Sequence, residues 1–209
     1  MKQTIAYLTT LLINLPVLAQ EKSSELPIER VTVTANRAVQ NILDVASDIS
    51  WLDEETLKLI EQQHINQTLV RIPGAWISRG NGQEHLTAIR SPVLTGAGGC
   101  GAFFLAQDGI SLRAPGFCNV NQLFDANAEQ AERIEVIKGP ATALYGSNAM
   151  HGVINILSHE PSAKTDHSVA LEAGPQDFYR AKYRYSNTVD RHGVSINLNG
   201  TTDGGYKEN

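Results

Sequence analysis

Residues 133–157 read RIEVIKGPATALYGSNAMHGVINIL and divide into three segments. Residues 133–138 are rich in β-branched side chains and predict a short strand. Gly139-Pro140 then interrupts the run, because proline has no N–H to donate and glycine adopts backbone conformations that other residues avoid. The second segment is Leu144-Tyr145-Gly146-Ser147, and the third is the apolar run of residues 152–156. The stretch therefore predicts strand and turn rather than one continuous helix.

The sequence before this stretch predicts short helices and further strands. Asp53 is a suitable N-cap, and Leu57, Ile60 and His64 follow it at helical spacing. A second short helix ends before Pro73-Gly74. This second helix covers residues 66–71. The remaining predicted elements are strands over residues 75–78, 86–90 and 103–107, and an Asp108-Gly109 turn. Together they predict a domain that contains short helices and short strands.

The last fifty residues predict three antiparallel strands with strict alternation. In the second strand Tyr179 and Tyr183 share one face, whereas Arg180 and Lys182 share the other. A soluble sheet with one wet face has the same pattern, but an exported chain with tyrosines on its apolar face is typical of an outer-membrane β-barrel. Three strands cannot close a barrel and the pattern continues to Asn209, so we expect a fragment of a longer chain. The predicted strands cover residues 168–173, 179–186 and 194–199.

The N-terminus predicts export. Lys2 precedes an apolar run that is too short for a stable transmembrane helix, and Val17-Leu18-Ala19 fits a signal-peptide cleavage site. A polar tail follows, in which residues 31–34 predict a small strand with no obvious partner, an edge able to pair with another chain. An oxidising compartment allows Cys100 and Cys118 to form a disulfide between two glycine-containing connections.

Composition and motifs exclude several functions. The chain has 209 residues, 42% hydrophobic side chains and a net charge of −5, which disfavours disorder and nucleic-acid binding. The six histidines are scattered, without His-Glu-x-x-His or Cys-x-x-Cys spacing, so no metal site or cofactor is predicted. There is no Gly-x-Ser-x-Gly motif, and Pro140 removes an amide that a phosphate-binding loop would use. We therefore expect no enzymatic activity.

The three segments of residues 133–157 closely resemble the signature of the plug domain of TonB-dependent outer-membrane receptors. Residues 29–35 are similar to the TonB box of that family, residues 69–74 to its Leu-x-x-x-Pro-Gly helix end, and Asp108-Gly109 to its Asp-Gly turn. Within the family, residues 33–37 look most like the cobalamin receptors. Two departures from the family are Ser91, where glycine is usual after Ile-Arg, and Lys138, where arginine is common. A third is the pair of cysteine-tied loops, which differ from those of the cobalamin receptors, so the resemblance does not assign cobalamin as the substrate.

The resemblance implies the α+β class for the plug, with a small mixed sheet and short helices. It implies four regions: a signal peptide over residues 1–19, a periplasmic tail with the TonB box over residues 20–36, a plug over residues 37–161 and the start of the barrel over residues 162–209. It also implies import of a scarce nutrient or metal complex across the outer membrane of a Gram-negative bacterium, with lipid around the barrel and TonB as the energy-coupling partner.

The resemblance further assigns three sets of residues. Charged plug residues are expected to contact the polar barrel wall, and two loop tips to face the ligand, with the cysteine bridge rigidifying them. The TonB box comprises Glu29, Arg30, Val31, Thr32, Val33, Thr34 and Ala35. The plug–barrel contacts are Arg79, Arg90, Glu135 and Lys138. The ligand-facing residues are Thr95, Gly96, Gly98, Arg113, Phe117 and Asn119.

Two alternatives remain at this stage. A signal-transducing receptor of the same class would need an additional N-terminal domain, and the tail between the cleavage site and the TonB box is too short to hold one. A soluble secreted or periplasmic β-rich binding protein, complete at Asn209, would need no TonB. The ligand also stays open among iron–siderophore, cobalamin, haem and copper complexes.

Overall fold

The computed structural model describes residues 32–34, 38, 40–80, 82–93, 102–113, 123 and 126–205. None of the helices in these ranges is long and apolar enough to cross a membrane. The strands are β1 (Thr32–Val33), β2 (Gln40–Asn41), β3 (Asp48–Asp53), β4 (Ala75–Arg79), β5 (His85–Ile89), β6 (Phe103–Gln107), β7 (Ile110–Ser111), β8 (Arg133–Lys138), β9 (Gly152–Leu157), β10 (Asp166–Gly174), β11 (Phe178–Val189) and β12 (His192–Thr202). The α-helices are α1 (Glu54–Ile60), α2 (Ile65–Leu69) and α3 (Thr142–Tyr145).

A five-stranded mixed sheet forms the centre of the plug, in the order β3-β8-β9-β6-β7. β8 runs antiparallel to both β3 and β9, whereas β6 and β9 are parallel. Ile134 and Ile154 pack on one face in a core with Leu57 of α1, and Ile137 and Val153 pack on the other. Both faces are buried, so β9 is apolar except for Asn155, and the middle of β8 carries Ile134, Val136 and Ile137. The predicted α+β class and the strands over residues 103–107 and 133–138 are confirmed.

Helix α1 begins as predicted and ends earlier. Asp53 Oδ1 accepts a hydrogen bond from Thr56 N at 2.8 Å, so Asp53 is the N-cap. Glu61 adopts a left-handed conformation with φ 43° and stops the helix after Ile60. The prediction that His64 continues this helix is therefore wrong. His64 instead caps α2, because its Nδ1 accepts from Asn66 N at 3.0 Å.

The β4–β5 hairpin packs beside the central sheet and ends in a tight turn. Gly74 has φ 85° before β4, and its carbonyl accepts from Arg90 N at 2.9 Å. At the turn after β5, Arg90 takes the left-handed conformation with φ 48°. Ser91 Oγ accepts from Ile89 N at 3.4 Å. Serine fits the position where the family usually has glycine, because the strained residue is the arginine before it.

Strands β10, β11 and β12 form a separate antiparallel sheet with an inverted distribution of side chains. The hairpin turns contain Gln176, Asp177 and Asp190 in the left-handed conformation. On the outer face Leu171 is 78% exposed and Tyr179 is 56% exposed, whereas Arg180 on the inner face is 3% exposed. A soluble sheet buries its apolar face and exposes its charges. This sheet does the reverse, with its charged face towards the plug.

Candidate functional site

The end of the predicted TonB box docks on the plug. β1 pairs antiparallel with β2, matching Thr32 to Asn41 and Val33 to Gln40. The expectation that this strand has no partner is therefore wrong, because β2 of the same chain pairs with it. Thr34 follows β1 and is half-buried. Glu29, Arg30, Val31 and Ala35 lie outside the described residues.

Glu135, at the centre of β8, binds Thr34 at the end of this segment. Its side chain is 1% exposed, and its Oε2 accepts hydrogen bonds from Thr34 N at 2.9 Å and from Thr34 Oγ1 at 2.7 Å. Arg133 Nε lies 2.9 Å from Glu135 Oε1 as an ion pair. Tyr145 Oη donates to Thr34 O at 3.1 Å. Residues far apart in sequence therefore hold Thr34 on the central sheet.

Arg180 connects the first hairpin of the second sheet to the plug. Its guanidinium donates to the carbonyl oxygens of Glu61 and Gln62 at the end of α1. It also pairs with Glu172 on β10, and its Nη1 lies 3.4 Å from Glu129 Oε2. Burial raises the pKa of the Glu129 carboxyl, and the nearby arginine opposes that shift. One arginine thus compensates two carboxylates and two helix-end carbonyls.

A second charged contact joins α1 to the same sheet. Glu54 Oε1 lies 3.3 Å from Arg184 Nη1 on β11 and 2.7 Å from Lys58 Nζ within α1. His159 Nε2 lies 3.2 Å from the same Glu54 oxygen, and burial is the main reason that the His159 pKa is lowered. A cavity of about 350 Å³ borders these side chains and Ala170. The contacts between α1 and β11 thus come from residues that the sequence analysis did not select. The sequence does not show which side chain a charged residue on α1 will contact in the folded protein.

The four residues predicted to contact the barrel wall take different places. Lys138 and Arg90 both pair with Asp48, and Glu135 holds Thr34. Arg79 lies at the exposed end of β4, where its charge helps to lower the pKa of buried His64, second to desolvation. Their contacts with a complete barrel wall stay a prediction.

The predicted ligand-facing loops lie largely outside the described residues. Thr95, Gly96, Gly98, Phe117 and Asn119 belong to that part, as do Cys100 and Cys118 with their predicted disulfide. Arg113 follows β7, is half-buried, and donates through Nη1 to Asn148 Oδ1 at 2.8 Å. In the described ranges no group of three or more His, Cys, Asp or Glu side chains is placed to hold a metal ion.

Residues 41–153 match the family described as the TonB-dependent Receptor Plug Domain. The chain belongs to this family. Members are receptors of the outer membrane of Gram-negative bacteria, and this is the location of the present chain. The sequence resemblance of residues 133–157 to the plug signature is thereby confirmed.

Curated relatives include two proteins named vitamin B12 transporter BtuB. The one from Vibrio vulnificus is 29% identical over 167 residues, covering 79% of this chain and 26% of that protein. The one from Photobacterium profundum is 29% identical over 194 residues, covering 86% of this chain and 28% of that protein. The chain thus spans about a quarter of the length of the curated relatives it matches. The predicted similarity to cobalamin receptors is confirmed.

Solved structures with the same fold are siderophore receptors. The alcaligin outer-membrane receptor FauA from Bordetella pertussis superposes with a TM-score of 0.63 at 13% identity, covering 82% of this chain and 29% of that chain. The pyoverdine outer-membrane receptor FpvA from Pseudomonas aeruginosa superposes with a TM-score of 0.60 at 20% identity, covering 77% of this chain and 22% of that chain. The fold is that of a plug domain followed by the first antiparallel strands of a receptor barrel.

Proposed function

We propose that the protein is a TonB-dependent outer-membrane transporter that imports a scarce nutrient complex and has no enzymatic activity. The plug closes the barrel, and residues 29–35 couple it to TonB in the periplasm. The observation that carries the proposal is the inverted second sheet, with Leu171 and Tyr179 outside and Arg180 inside. A lipid-facing apolar surface and a polar lumen require this arrangement.

The charged inner face supports the role of the plug as a closure. Arg180 and Arg184 of β11 bind carboxylates and carbonyls of α1 and its flanking loop. Such contacts hold a plug against the strand that follows it in sequence. A wide barrel that passes a bulky nutrient needs a closure of this kind, because an open lumen would leak small solutes.

The coupling role of residues 29–35 rests on position and conformation. Among the described residues β1 pairs with β2 at two positions. A strand held by so few backbone hydrogen bonds separates from its partner more readily than β3, β6, β8 or β9, which pair over five or six positions in the central sheet. It can then add to the edge of a partner's sheet, where backbone pairing supplies the grip and a pull is transmitted to the plug.

The cargo is proposed as a class. The relatives named vitamin B12 transporter make cobalamin the first compound to test, and the fold shared with alcaligin and pyoverdine receptors adds ferric siderophores. Haem and copper complexes complete the panel. The predicted ligand-facing tips, residues 93–100 and 113–120, are proposed to contact the cargo from the outer side of the plug.

The test uses the full-length receptor in cells with and without TonB. Uptake of labelled cyanocobalamin, ferric siderophores, haem and copper is measured beside binding of each to intact cells. Deletion of residues 31–33 is expected to abolish uptake and to leave cargo binding unchanged. Deletion of residues 22–24, of equal length in the preceding tail, is the matched control and is expected to keep uptake. Uptake that persists without TonB, or without residues 31–33, would refute the coupling role.

A fractionation experiment tests the membrane assignment separately. The full-length protein is expected in a detergent-extracted outer-membrane fraction as a heat-modifiable band. A soluble periplasmic band near the 22.7 kDa of this chain would instead favour the β-rich binding protein. The two results are exclusive, because a sheet with this apolar outer face needs lipid or detergent around it.

A further inference from the structure

Two polar cavities lie between the plug and the second sheet. The first, of about 350 Å³, is bordered on the sheet by Lys182 and Arg184. The second, of about 380 Å³, is bordered on the sheet by Asn199 and Thr201. The residues that border both cavities from the plug are Gln62, Ala128 and Glu129. Polar cavities of this size hold water molecules, which bond to the groups that line them.

The register of the strands places these cavities one after the other along the second sheet. Arg184 of β11 borders the first cavity, whereas Thr201 of the second cavity lies opposite Arg180, further along β11. The second cavity continues to Asp203, just beyond β12. At about 3.4 Å per residue, the distance along β11 from Arg184 to the level of Asp203 is roughly 20 Å. Barrel strands tilt by about 40°, so this is more than half the height of an apolar band of about 25 Å.

Arg180 lies where the two cavities meet. Its guanidinium donates to Gln62 O, and its Nη2 donates to Glu61 O at 3.3 Å. Its Nη1 lies 3.4 Å from Glu129 Oε2. Gln62 and Glu129 are two of the residues that border both cavities. The buried arginine therefore spans the gap between β11 and the plug at the shared lining.

Further contacts hold the Arg180 side chain from the sheet. Its Nε donates to Glu172 Oε2 on β10 at 2.9 Å. The guanidinium carbon lies 5.5 Å from the ring centroid of Phe178, which is buried at the start of β11. A guanidinium is planar and presents five N–H donors in a fixed arrangement, so it binds the sheet and the plug at the same time. An uncharged side chain with fewer donors would not bridge these groups.

We propose that the two cavities form one water-filled seam along the barrel wall and that Arg180 seals it. The inference rests on the proposed function, in which the plug closes the barrel, and it assigns this closure along the first three barrel strands to one side chain. The protein then has a second, latent activity, which is the passage of small hydrophilic solutes down their concentration gradient. Passage begins when the contacts of Arg180 with the plug are broken, while the plug itself stays in the barrel.

The first test measures solute passage without TonB and without cargo. Full-length receptor is reconstituted in lipid vesicles, and the rate of vesicle swelling is recorded in arabinose, a small sugar, and in stachyose, a tetrasaccharide. Arg180→Gln keeps a polar side chain but removes the charge and most of the donors. Loss of one hydrogen bond from a charged donor corresponds to about a tenfold larger open population. We therefore expect about tenfold faster swelling in arabinose and unchanged swelling in stachyose.

Lys182→Gln is the matched control. Lys182 is the neighbouring cation on the inner face of β11, and its Nζ pairs with Glu172 of the same sheet at 2.7 Å. Fast swelling of Arg180→Gln in arabinose alone, with Lys182→Gln close to wild type, supports the seal. Equal arabinose rates in wild type and Arg180→Gln overturn it, and so does an equal rise in Lys182→Gln. Faster swelling of Arg180→Gln in stachyose also overturns it, because the whole plug would then have moved.

The second test restores the cation by chemical modification. Arg180→Cys in vesicles is treated with aminoethyl methanethiosulfonate, which attaches an ammonium group to the thiol, or with methyl methanethiosulfonate, which attaches an uncharged group. Swelling in arabinose should fall several-fold with the first reagent and stay fast with the second, and wild-type receptor should respond to neither. Absence of any attachment would show that water does not reach residue 180 and would overturn the seam. Attachment of the ammonium group without slower swelling would overturn the seal.

The failure of the seal and the failure of the proposed function give different results. All variants are compared at equal amounts of the heat-modifiable form, so that loss of assembled receptor does not hide solute passage. If the wild-type protein gives no heat-modifiable band and does not insert into vesicles, the proposed function fails. If the receptor inserts and both Arg180 variants swell at the wild-type rate, the seal alone is overturned.

Discussion

Lys138 Nζ lies 2.8 Å from Asp48 Oδ1, an ion pair that joins β8 to the edge strand β3. Lys138 also donates to Ser50 Oγ at 2.8 Å, and Arg90 contacts the second oxygen of Asp48. Two cations from different elements thus converge on one half-exposed carboxylate. The cluster ties the β4–β5 hairpin to the central sheet at the point where each element ends.

This cluster predicts an acid-sensitive edge of the plug. The hydrogen bond from Lys138 is the main reason that the pKa of Asp48 is lowered, with a smaller contribution from Arg90. A lowered pKa in the folded state gives stability that is present above the unfolded pKa of about 4 and lost as pH falls through the folded value. Hydrogen exchange of β3, corrected for intrinsic rates, should therefore accelerate below about pH 4. Asp48→Asn should lose protection already at pH 7 and show no further acid step in β3. An unchanged acid step in that variant would exclude Asp48 as its source.

Replacement of Arg180 should loosen α1 from the second sheet. Arg180→Met removes the cation nearest to Glu129, whereas Glu172 keeps Lys182 Nζ at 2.7 Å. Breaking a buried pair costs about 3–5 kcal/mol, and the remaining lysine reduces that cost here. We expect faster hydrogen exchange in residues 54–62 of the full-length receptor. The double variant Arg180→Met with Glu129→Gln should recover part of the loss, because burial alone already disfavours ionised Glu129. Absence of any recovery would show that Arg180 acts through the helix-end carbonyls instead.

Substitutions at two adjacent positions on β10 test which face of the second sheet points towards lipid. Leu171 lies on the outer apolar face, whereas Ala170 borders the cavity that contains Glu54 and Glu129. Leu171→Lys should destabilise the membrane-inserted receptor by about 2–4 kcal/mol if the position lies near the bilayer midplane. Ala170→Lys introduces the same charge on the polar inner face, opposite Lys182 and beside a cavity lined by Glu54 and Glu129, and should be tolerated better than Leu171→Lys. The measurement is the heat-modifiable fraction assembled in lipid vesicles, and equal losses in both variants would contradict a lipid-facing outer surface.

Gly152 should not accept a side chain. A Cβ at this first residue of β9 would overlap the Ile137 carbonyl oxygen of β8 and lie 3.1 Å from Ile89 Cγ2. Overpacking of this kind costs about 1–3 kcal/mol. Gly152→Ala should therefore reduce the protease resistance of the plug in the full-length receptor. Gly82→Ala is the matched control, because no atom lies within 4 Å of the added methyl group. Resistance equal in the two variants would mean that β8 and β9 adjust to the added carbon.

Much of the local structure could be predicted from the sequence. Asp53 as an N-cap and the strands over residues 103–107 and 133–138 depend on short-range preferences, which one sequence displays directly. Strand β3 was not predicted, because it is short and begins and ends with aspartate, and only Ile49 and Trp51 show the alternation of a strand. His64 was placed on the wrong helix, because the break at Glu61 is a left-handed conformation that glutamate rarely adopts.

The sequence by itself determined the class of the protein, through the plug signature of residues 133–157 and the alternation of tyrosines and cations on β11. These signals are local in the chain, so one sequence carries them. Only the tertiary structure decided which polar and charged groups meet: Thr34 with Glu135, Lys138 with Asp48, and Arg180 with Glu172. Two of these pairs are separated by dozens of residues. The physical reason is that the interaction between two charged groups depends on the distance between them and on how far each is buried in the folded state. Neither quantity can be read from the order of residues alone.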